Sequence, residues 1–396
     1  MNNTKTNINI NNINNNITIY LKDKIDTTNA AIIENEINNV AANIHQDDKL
    51  ILDFNDVTYI SSTGLRIILN TKKKHNNMLI INVSLEVYDI FEVTGFTKLI
   101  NIKKRYRNIN IDNCEIIGEG ACGIVYKYSD DQIVKVFKYD ITIEEVEKEI
   151  ELSRQAFILG IPTAIPFDIV KVNNKYGLIF ELLPRHSVCK QLINKTLDVD
   201  KFIPIYASLF KELQKIKIEE GSFLNITDEY INKLDKYVKK YLTIDEYNRI
   251  KYLLLNTNDN SYIIHGDCHI KNIMLSDDDK PIIIDLETLS RGSKIYEFAG
   301  IYCSYISFSE ADEQNTLKFF NMSQDIINNI FFGMMDILYP KNLYNQKEIY
   351  DKICIVSSIL LISYVYMYED GNNELRINQA IKHIKELIYQ YDNLDI

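Results

Sequence analysis

The sequence predicts two folds in one chain: a small α/β layer domain, then a larger α+β domain that is strand-rich at first and helical afterwards. Three observations predict this. Strand-like apolar runs alternate with helical patterns through roughly the first hundred residues, the pattern of a sheet with packed helices. A glycine-rich hairpin between β-type runs then opens a second series of strand segments near residue 114. Beyond residue 184, long stretches of helical periodicity run to the C-terminus.

Taken in order, residues 2–16 form an asparagine-rich, weakly apolar leader. The first domain reads as strand 17–21, helix 29–44, strand 50–54, helix 64–74, strand 78–83 and helix 85–94. Ser61, Ser62 and Thr63 directly precede the second helix, and one of them serves as its N-cap. Residues 103–110 read as a polar, basic connector. The boundaries follow as leader 1–13, first domain 14–104, linker 105–112, strand-rich lobe 113–183 and helical lobe 184–396.

The strand-rich lobe opens with Gly118-Glu119-Gly120-Ala121-Cys122-Gly123-Ile124-Val125 between strand-like runs at 114–117 and 125–128. Glycines let such a hairpin lie close over phosphates. A dinucleotide-binding turn would need a helix after the third glycine, whereas 124–128 continues in β-type residues. Next comes Gln132-Ile-Val-Lys135-Val-Phe137, an apolar strand with one embedded lysine. A buried ammonium needs a partner, so Lys135 is expected to face the α and β phosphates and to pair with a glutamate of the following helix, 143–159. Glu149 is favoured because it shares a face with Glu145 and adjoins apolar Ile150 and Leu152; Glu145 and Glu147 remain open. A strand at 176–181 follows.

The chemistry concentrates between 265 and 287. His265-Gly266-Asp267-Cys268-His269-Ile270-Lys271-Asn272 follows a short buried strand at 262–264, so Asp267 falls on the turn, with Gly266 permitting a tight backbone. A second strand at 281–284 follows a turn at 276–280 and ends at Asp285. Phosphoryl transfer relies on positioning and charge neutralisation: a group orients the attacking hydroxyl while others hold Mg²⁺ against nucleotide phosphates. Asp267 suits the first task, Asn272 and Asp285 the second, if the two strand ends converge. His265 and His269, four apart beside Cys268, are also a zinc-like pair, but Gly266 and the preceding strand oppose the helix such a site requires.

In order, the glycine hairpin, strand lysine, helix glutamate, catalytic loop and metal strand resemble the protein-kinase-like superfamily, whose catalytic loop uses the same Asp-to-Asn interval. The His-Gly-Asp form, Ile-Asp-Leu-Glu at 284–287 and Arg291-Gly-Ser-Lys-Ile-Tyr-Glu-Phe-Ala after it are similar to the aminoglycoside phosphotransferase and choline kinase branch. The resemblance implies a bilobal kinase-like fold from about residue 113, with ATP (or GTP) and Mg²⁺ as cofactors. It makes Asp267 the catalytic base, with His265 and Lys135 in the catalytic set. Asn272 and Asp285 become the metal ligands, and residues 180–183 the adenine-facing hinge, including Glu181 and Leu183. Gly118, Glu119, Gly120, Ala121, Cys122, Gly123 and Val125 cover the nucleotide, with Lys135 and Glu149 beneath. Cys268, Ile270 and Lys271 depart from the commoner leucine, proline and glycine of such loops, and Glu297 stands where an aspartate is usual.

The first domain carries its own resemblance. Leu50-Ile-Leu-Asp-Phe-Asn-Asp-Val-Thr-Tyr-Ile-Ser-Ser-Thr-Gly-Leu-Arg, with Asn82-Val-Ser-Leu-Glu-Val-Tyr-Asp-Ile-Phe-Glu-Val-Thr-Gly-Phe, resembles the STAS domain of anti-sigma factor antagonists. That resemblance places a phosphorylation switch on Ser62 and implies an anti-sigma-type kinase as partner. A phosphate there adds about −1.5 to −2 charge at a helix N-terminus. Ser61 replaces the acidic residue common at that point.

With 396 residues the chain is long enough for two to three cores. A net charge of −11 argues against nucleic acid and anionic membrane as main partners. The 6 cysteines form no C-x-x-C pair, which suits reduced thiols and a cytosolic protein; Cys122 reads as an inert loop thiol. The polar N-terminus is not a secretory signal. The apolar run 353–368 is shorter than the ~20 residues a span needs and is interrupted by Ser357, Ser358 and Ser363, so it reads as a buried helix. Further helical patterns lie at 202–216, 227–241, 243–255, 312–339 and 374–391, with Thr243 and Glu246 spelling a capping box. Two functions are expected: a phosphotransferase acting on a hydroxyl of a small molecule or protein, with the first domain as regulator, or a partner-switching antagonist whose kinase-like part senses nucleotide or modifies Ser62.

Overall fold

The computed structural model describes residues 9–13, 16–41, 49–120, 122–184, 186–219, 221–258 and 261–396. Both expected folds are present. The chain divides into two compact units, residues 1–110 with 169–174, and residues 111–168 with 175–396.

In the first unit five strands lie in chain order: Asn9–Ile13, Asn16–Ile25, Lys49–Ile60, Met78–Val83 and Asn101–Lys104. The first pair is antiparallel and the others are parallel. Parallel neighbours need crossovers, and helices Ala30–Ala41, Ser62–Lys74 and Leu85–Val93 supply them. Leu50, Leu52 and Phe54 are buried along the central strand, and Phe54 meets Phe91 of the third helix with ring centres 5.7 Å apart. Asp53 is buried on the same strand, where it accepts hydrogen bonds from Asn55 N (2.8 Å) and Asn82 Nδ2 (3.0 Å).

The sheet is larger than the sequence reading. Part of the expected leader forms strand Asn9–Ile13, paired in register Ile10↔Ile19; residues 1–8, 14–15 and the last turn of the expected helix, 42–44, lie outside the described residues. The central strand runs on to Ile60 because Val57 and Ile60 are also buried, across register shifts that keep them inward. Lys103 and Lys104, expected in the connector, complete the fifth strand.

The second unit begins with an antiparallel series in which Glu115–Glu119 pairs with Gly123–Lys127, that strand with Gln132–Phe137, and that with Lys175–Glu181. Helix Ile143–Ile158 packs beside it, started by a capping box between Thr142 and Glu145. The helical part encloses one large core containing Phe202, Tyr206, Phe210, Phe298, Tyr305 and Phe331. Gln346–Tyr368 runs through it, and 78% of its most apolar window is buried, although it has the length and apolarity of a membrane span. The serines inside it are satisfied: Ser357 meets Ser307 at 2.8 Å, while Ser358 and Ser363 each donate to a carbonyl of their own helix at 2.7 Å.

Two expected helices are divided. The 312–339 pattern becomes Asn315–Phe320 and Gln324–Leu338, separated where Asn321 adopts φ 55 and caps the first. The 227–241 pattern becomes Ile226–Lys233, a widened turn Leu234–Val238 and a tight turn Lys239–Tyr241. Thr243 and Glu246 do form a capping box. Helices Val188–Ile193 and Lys294–Tyr302 were not anticipated.

Candidate functional site

The residues singled out between 265 and 287 gather on two small hairpins of the second unit. Tyr262–Ile264 pairs with Ser290–Gly292, and Ile273–Leu275 pairs with Pro281–Ile283. The strands before Asp267 and Asp285 therefore do not pair with each other, contrary to a simple reading of neighbouring strand ends. They are joined instead by His265, whose Nε2 donates to the Ile284 carbonyl at 3.0 Å.

The turn after Tyr262–Ile264 is held from several sides. Gly266 has φ 82, a conformation that strains other residues. Beneath it, a Cβ on Gly300 of helix Lys294–Tyr302 would come 2.6 Å from the Gly266 carbonyl, so only glycine allows that approach. From the same helix, buried Glu297 accepts from His265 N (2.5 Å) and Gly266 N (3.4 Å). Thr288 donates to the His265 carbonyl at 2.5 Å, Tyr206 to the Cys268 carbonyl at 2.5 Å, and Tyr305 accepts from Ile270 N at 3.0 Å. These anchors come from segments far apart in the chain, and no local motif announces the tyrosines.

His265 departs from its expected catalytic assignment. It is buried, its Nδ1 accepts from Asp267 N at 3.2 Å, and its Nε2 is used by Ile284. Burial lowers its pKa, so it stays neutral. It holds the backbone of the turn and has no nitrogen left for proton transfer or for a zinc ion shared with His269. Asp267 is half-buried, and its Oδ2 accepts from Asn272 Nδ2 at 3.1 Å. Burial pushes its carboxyl up to about 6, with the Asn272 hydrogen bond opposing.

A second cluster centres on Lys135. Its Nζ lies 2.9 Å from Glu149 Oε1, 3.0 Å from Asp285 Oδ1 and 2.8 Å from Glu287 Oε1. Burial pulls Lys135 down, but the three carboxylates carry it well above the usual lysine range. Glu149 is pushed up to about 7 by burial, with Lys135 opposing. Burial also acts to raise Asp285, but Lys135 outweighs it and holds the carboxyl below its ordinary value. Asp285 has φ 66, a rare conformation for a non-glycine residue. The favoured glutamate, Glu149, is the one on Lys135, while the Glu145 carboxylate is occupied at the helix cap by Thr142 N (2.9 Å) and Oγ1 (2.7 Å).

Glu287 was missed as a site residue. The signal was its place two residues after Asp285, within the same acidic run. Glu149, Asp285 and Glu287 present carboxylate oxygens within 4.8 Å of one another. Oxygen donors of this kind, with the amide of Asn272, suit Mg²⁺.

The glycine-rich segment is a hairpin, with Gly118 and Glu119 on its first strand, Gly123 and Val125 on its second, and Gly120 N donating to the Gly123 carbonyl at 2.9 Å. Ala121 lies outside the described residues. Glu119 pairs with Lys138 at 2.7 Å. Cys122 is exposed, with Sγ 3.9 Å from Glu287 Oε2, and burial together with Glu287 raises its thiol pKa, away from thiolate chemistry. Glu181 ends strand Lys175–Glu181 and accepts from Ile165 N at 3.2 Å, so its carboxylate braces the strand end. Leu183 lies two residues on, partly buried. In the first unit, Ser61 caps helix Ser62–Lys74 by accepting from Gly64 N at 3.3 Å, which leaves Ser62 exposed as the first helical residue.

Among solved structures, the chain is similar to the apo form of a thermostable mutant of aminoglycoside phosphotransferase APH(4)-Ia. The identity is 10%, with 70% of this chain and 94% of that chain covered and a TM-score of 0.48. It is also similar to ADP-bound aminoglycoside phosphotransferase APH(2'')-Ib, at 18% identity, 78% and 99% coverage and a TM-score of 0.43. No curated protein matches the chain. The STAS domain model matches residues 7–109, and the model of the phosphotransferase enzyme family matches residues 114–319, the span that holds Lys135, Glu149, Asp267, Asn272, Asp285 and Glu287. With more than half of its length in that second match, the chain belongs to the phosphotransferase enzyme family and carries a STAS domain ahead of it.

Proposed function

We propose that the second unit transfers the terminal phosphoryl group of ATP or GTP to a hydroxyl of a small molecule or protein, with Asp267 as the base. The observation that carries this reading is the state of Asp267: its Oδ2 is fixed by Asn272 at 3.1 Å and its carboxyl is lifted to about 6. A carboxylate of that basicity accepts a hydroxyl proton near neutral pH better than an ordinary aspartate does. Lys135, presented by three carboxylates, is the cation available to nucleotide phosphates. Asn272, Asp285 and Glu287 are the residues that would hold Mg²⁺. When bound, the ion neutralises charge on the phosphate oxygens. The test is phosphoryl transfer from labelled ATP to a panel of hydroxylated metabolites with Mg²⁺. Absence of turnover by the wild type, with no difference from Asp267→Ala, would sink the reading.

A second reading concerns the STAS domain and rests on Ser62, exposed at the start of a helix whose cap is supplied by Ser61. In it, phosphorylation of Ser62 rejects an anti-sigma-type kinase by like charge at the docking face. Capture of such a kinase by wild type but not by Ser62→Asp supports this; equal capture by both counts against it. Phosphate mapping after incubation with ATP shows whether the chain modifies Ser62 itself.

A further inference from the structure

His269 lies two residues beyond Asp267, and the reaction just described gives it no task. Its side chain is only 8% exposed. Phe319 and Phe320 meet it edge-on, with ring centres 5.4 and 5.7 Å away, and Lys271 lies over Phe319 at 3.9 Å, closing that wall. Nε2 stands 3.5 Å from Asp267 Oδ1. Nδ1 is buried and meets no hydrogen-bond partner among the described residues.

These contacts select one tautomer. A neutral imidazole carries its proton on one nitrogen or the other. On Nδ1 the proton would be a buried donor with no acceptor, and the lone pair of Nε2 would face a carboxylate oxygen. Both arrangements cost free energy. Placing the proton on Nε2 removes both conflicts at once. A protonated ring would likewise leave the buried Nδ1 a donor without an acceptor, so the neutral form is favoured.

We propose that His269 is a positioning residue for Asp267, its Nε2–H directed at Oδ1 while the Asn272 amide holds Oδ2 at 3.1 Å. With a donor on each oxygen, the carboxylate plane is set and cannot swing away from an incoming hydroxyl. A separation of 3.5 Å is loose for a hydrogen bond, and contacts of this kind tighten in the complex with substrate. The assignment rests on Asp267 being the base.

Two substitutions and one spectrum test it. His269→Leu removes the donor and keeps an apolar bulk, whereas His269→Gln returns an amide N–H near the position of Nε2. The probe is hydrolysis of ATP with Mg²⁺, water serving as acceptor and inorganic phosphate as readout. His269→Leu is expected to lower kcat by about 10²-fold, the scale of a misplaced catalytic group, with little change in KM for ATP; His269→Gln recovers most of the loss. A leucine variant with wild-type kcat, or a glutamine variant no better than leucine at equal melting temperature, overturns the proposal. Independently of turnover, ¹⁵N spectra of the ring are expected to show a neutral, Nε2-protonated His269 at pH 7 whose shift responds to Asp267→Asn. A ring protonated on Nδ1, a charged ring, or no response overturns it as well. A wild type that transfers phosphate neither to water nor to any of the hydroxylated metabolites refutes the phosphotransferase reading instead, and the ring spectrum then decides the placement of His269.

Discussion

Lys135 and Glu149 form an ion pair, Nζ to Oε1 at 2.9 Å, with both side chains largely withdrawn from water. The pair ties strand Gln132–Phe137 to helix Ile143–Ile158 and aims the lysine at Asp285 and Glu287. Removing one member leaves a buried charge short of a partner. Glu149→Gln keeps the shape and loses the charge, so it is expected to cost about 1.5–3 kcal/mol, the range for a hydrogen bond to a charged group. Urea melts measure the stability, and a rise in KM for nucleotide is expected alongside.

Asp267→Asn preserves the hydrogen-bonding shape of the turn and removes the base. The expected result is a fall in kcat of about 10²–10⁴-fold, the usual contribution of general base catalysis. Nucleotide affinity by calorimetry should stay near wild type, because Asp267 is not among the groups around Lys135. Loss of binding and turnover together would mean that the residue supports the nucleotide site instead.

Asp285→Ala removes a hard oxygen donor beside Lys135. It should raise the Mg²⁺ concentration needed for half-maximal transfer, and EDTA should abolish transfer by the wild type. An activity indifferent to both would remove Mg²⁺ from the site.

Glu297 predicts how stability depends on pH. Burial raises its pKa from 4.5 to about 7, against the opposing pull of the His265 and Gly266 amides. Between those values the folded chain holds a proton that the unfolded chain has released, so stability falls as pH rises through that window. At about 1.4 kcal/mol per pKa unit, the loss is on the order of 3 kcal/mol. Melting temperatures from pH 4.5 to 8 should show the decline in wild type and a flatter profile in Glu297→Gln.

Ser61 and Ser62, adjacent in sequence, should behave oppositely. Ser61→Ala removes the cap on Gly64 N and should cost about 1 kcal/mol. Ser62→Asp puts a negative charge at an exposed helix start and should add about 0.3–1 kcal/mol at low salt. Thermal melts at two salt concentrations distinguish them, since only the second effect is screened.

The sequence by itself determined what local chemistry controls. Apolar runs set between helical patterns specified the core strands of the first unit, the glycines of 118–123 specified a hairpin, and the Asp267-to-Asn272 and Asp285 spacing marked out a phosphotransferase loop. Burial of one glutamate among several could be argued from its apolar neighbours, which singled out Glu149 but left Glu145 and Glu147 open. Tertiary structure decided between them because Glu145 is held at the helix cap, while Glu149 turns inward to Lys135. It also decided that His265 braces the turn, that Glu287 joins the Lys135 cluster, and that Tyr206, Tyr305 and Glu297 anchor the loop. Those roles depend on which buried polar group meets which partner across tens or hundreds of residues, a pairing set by packing of whole elements and not by any local pattern.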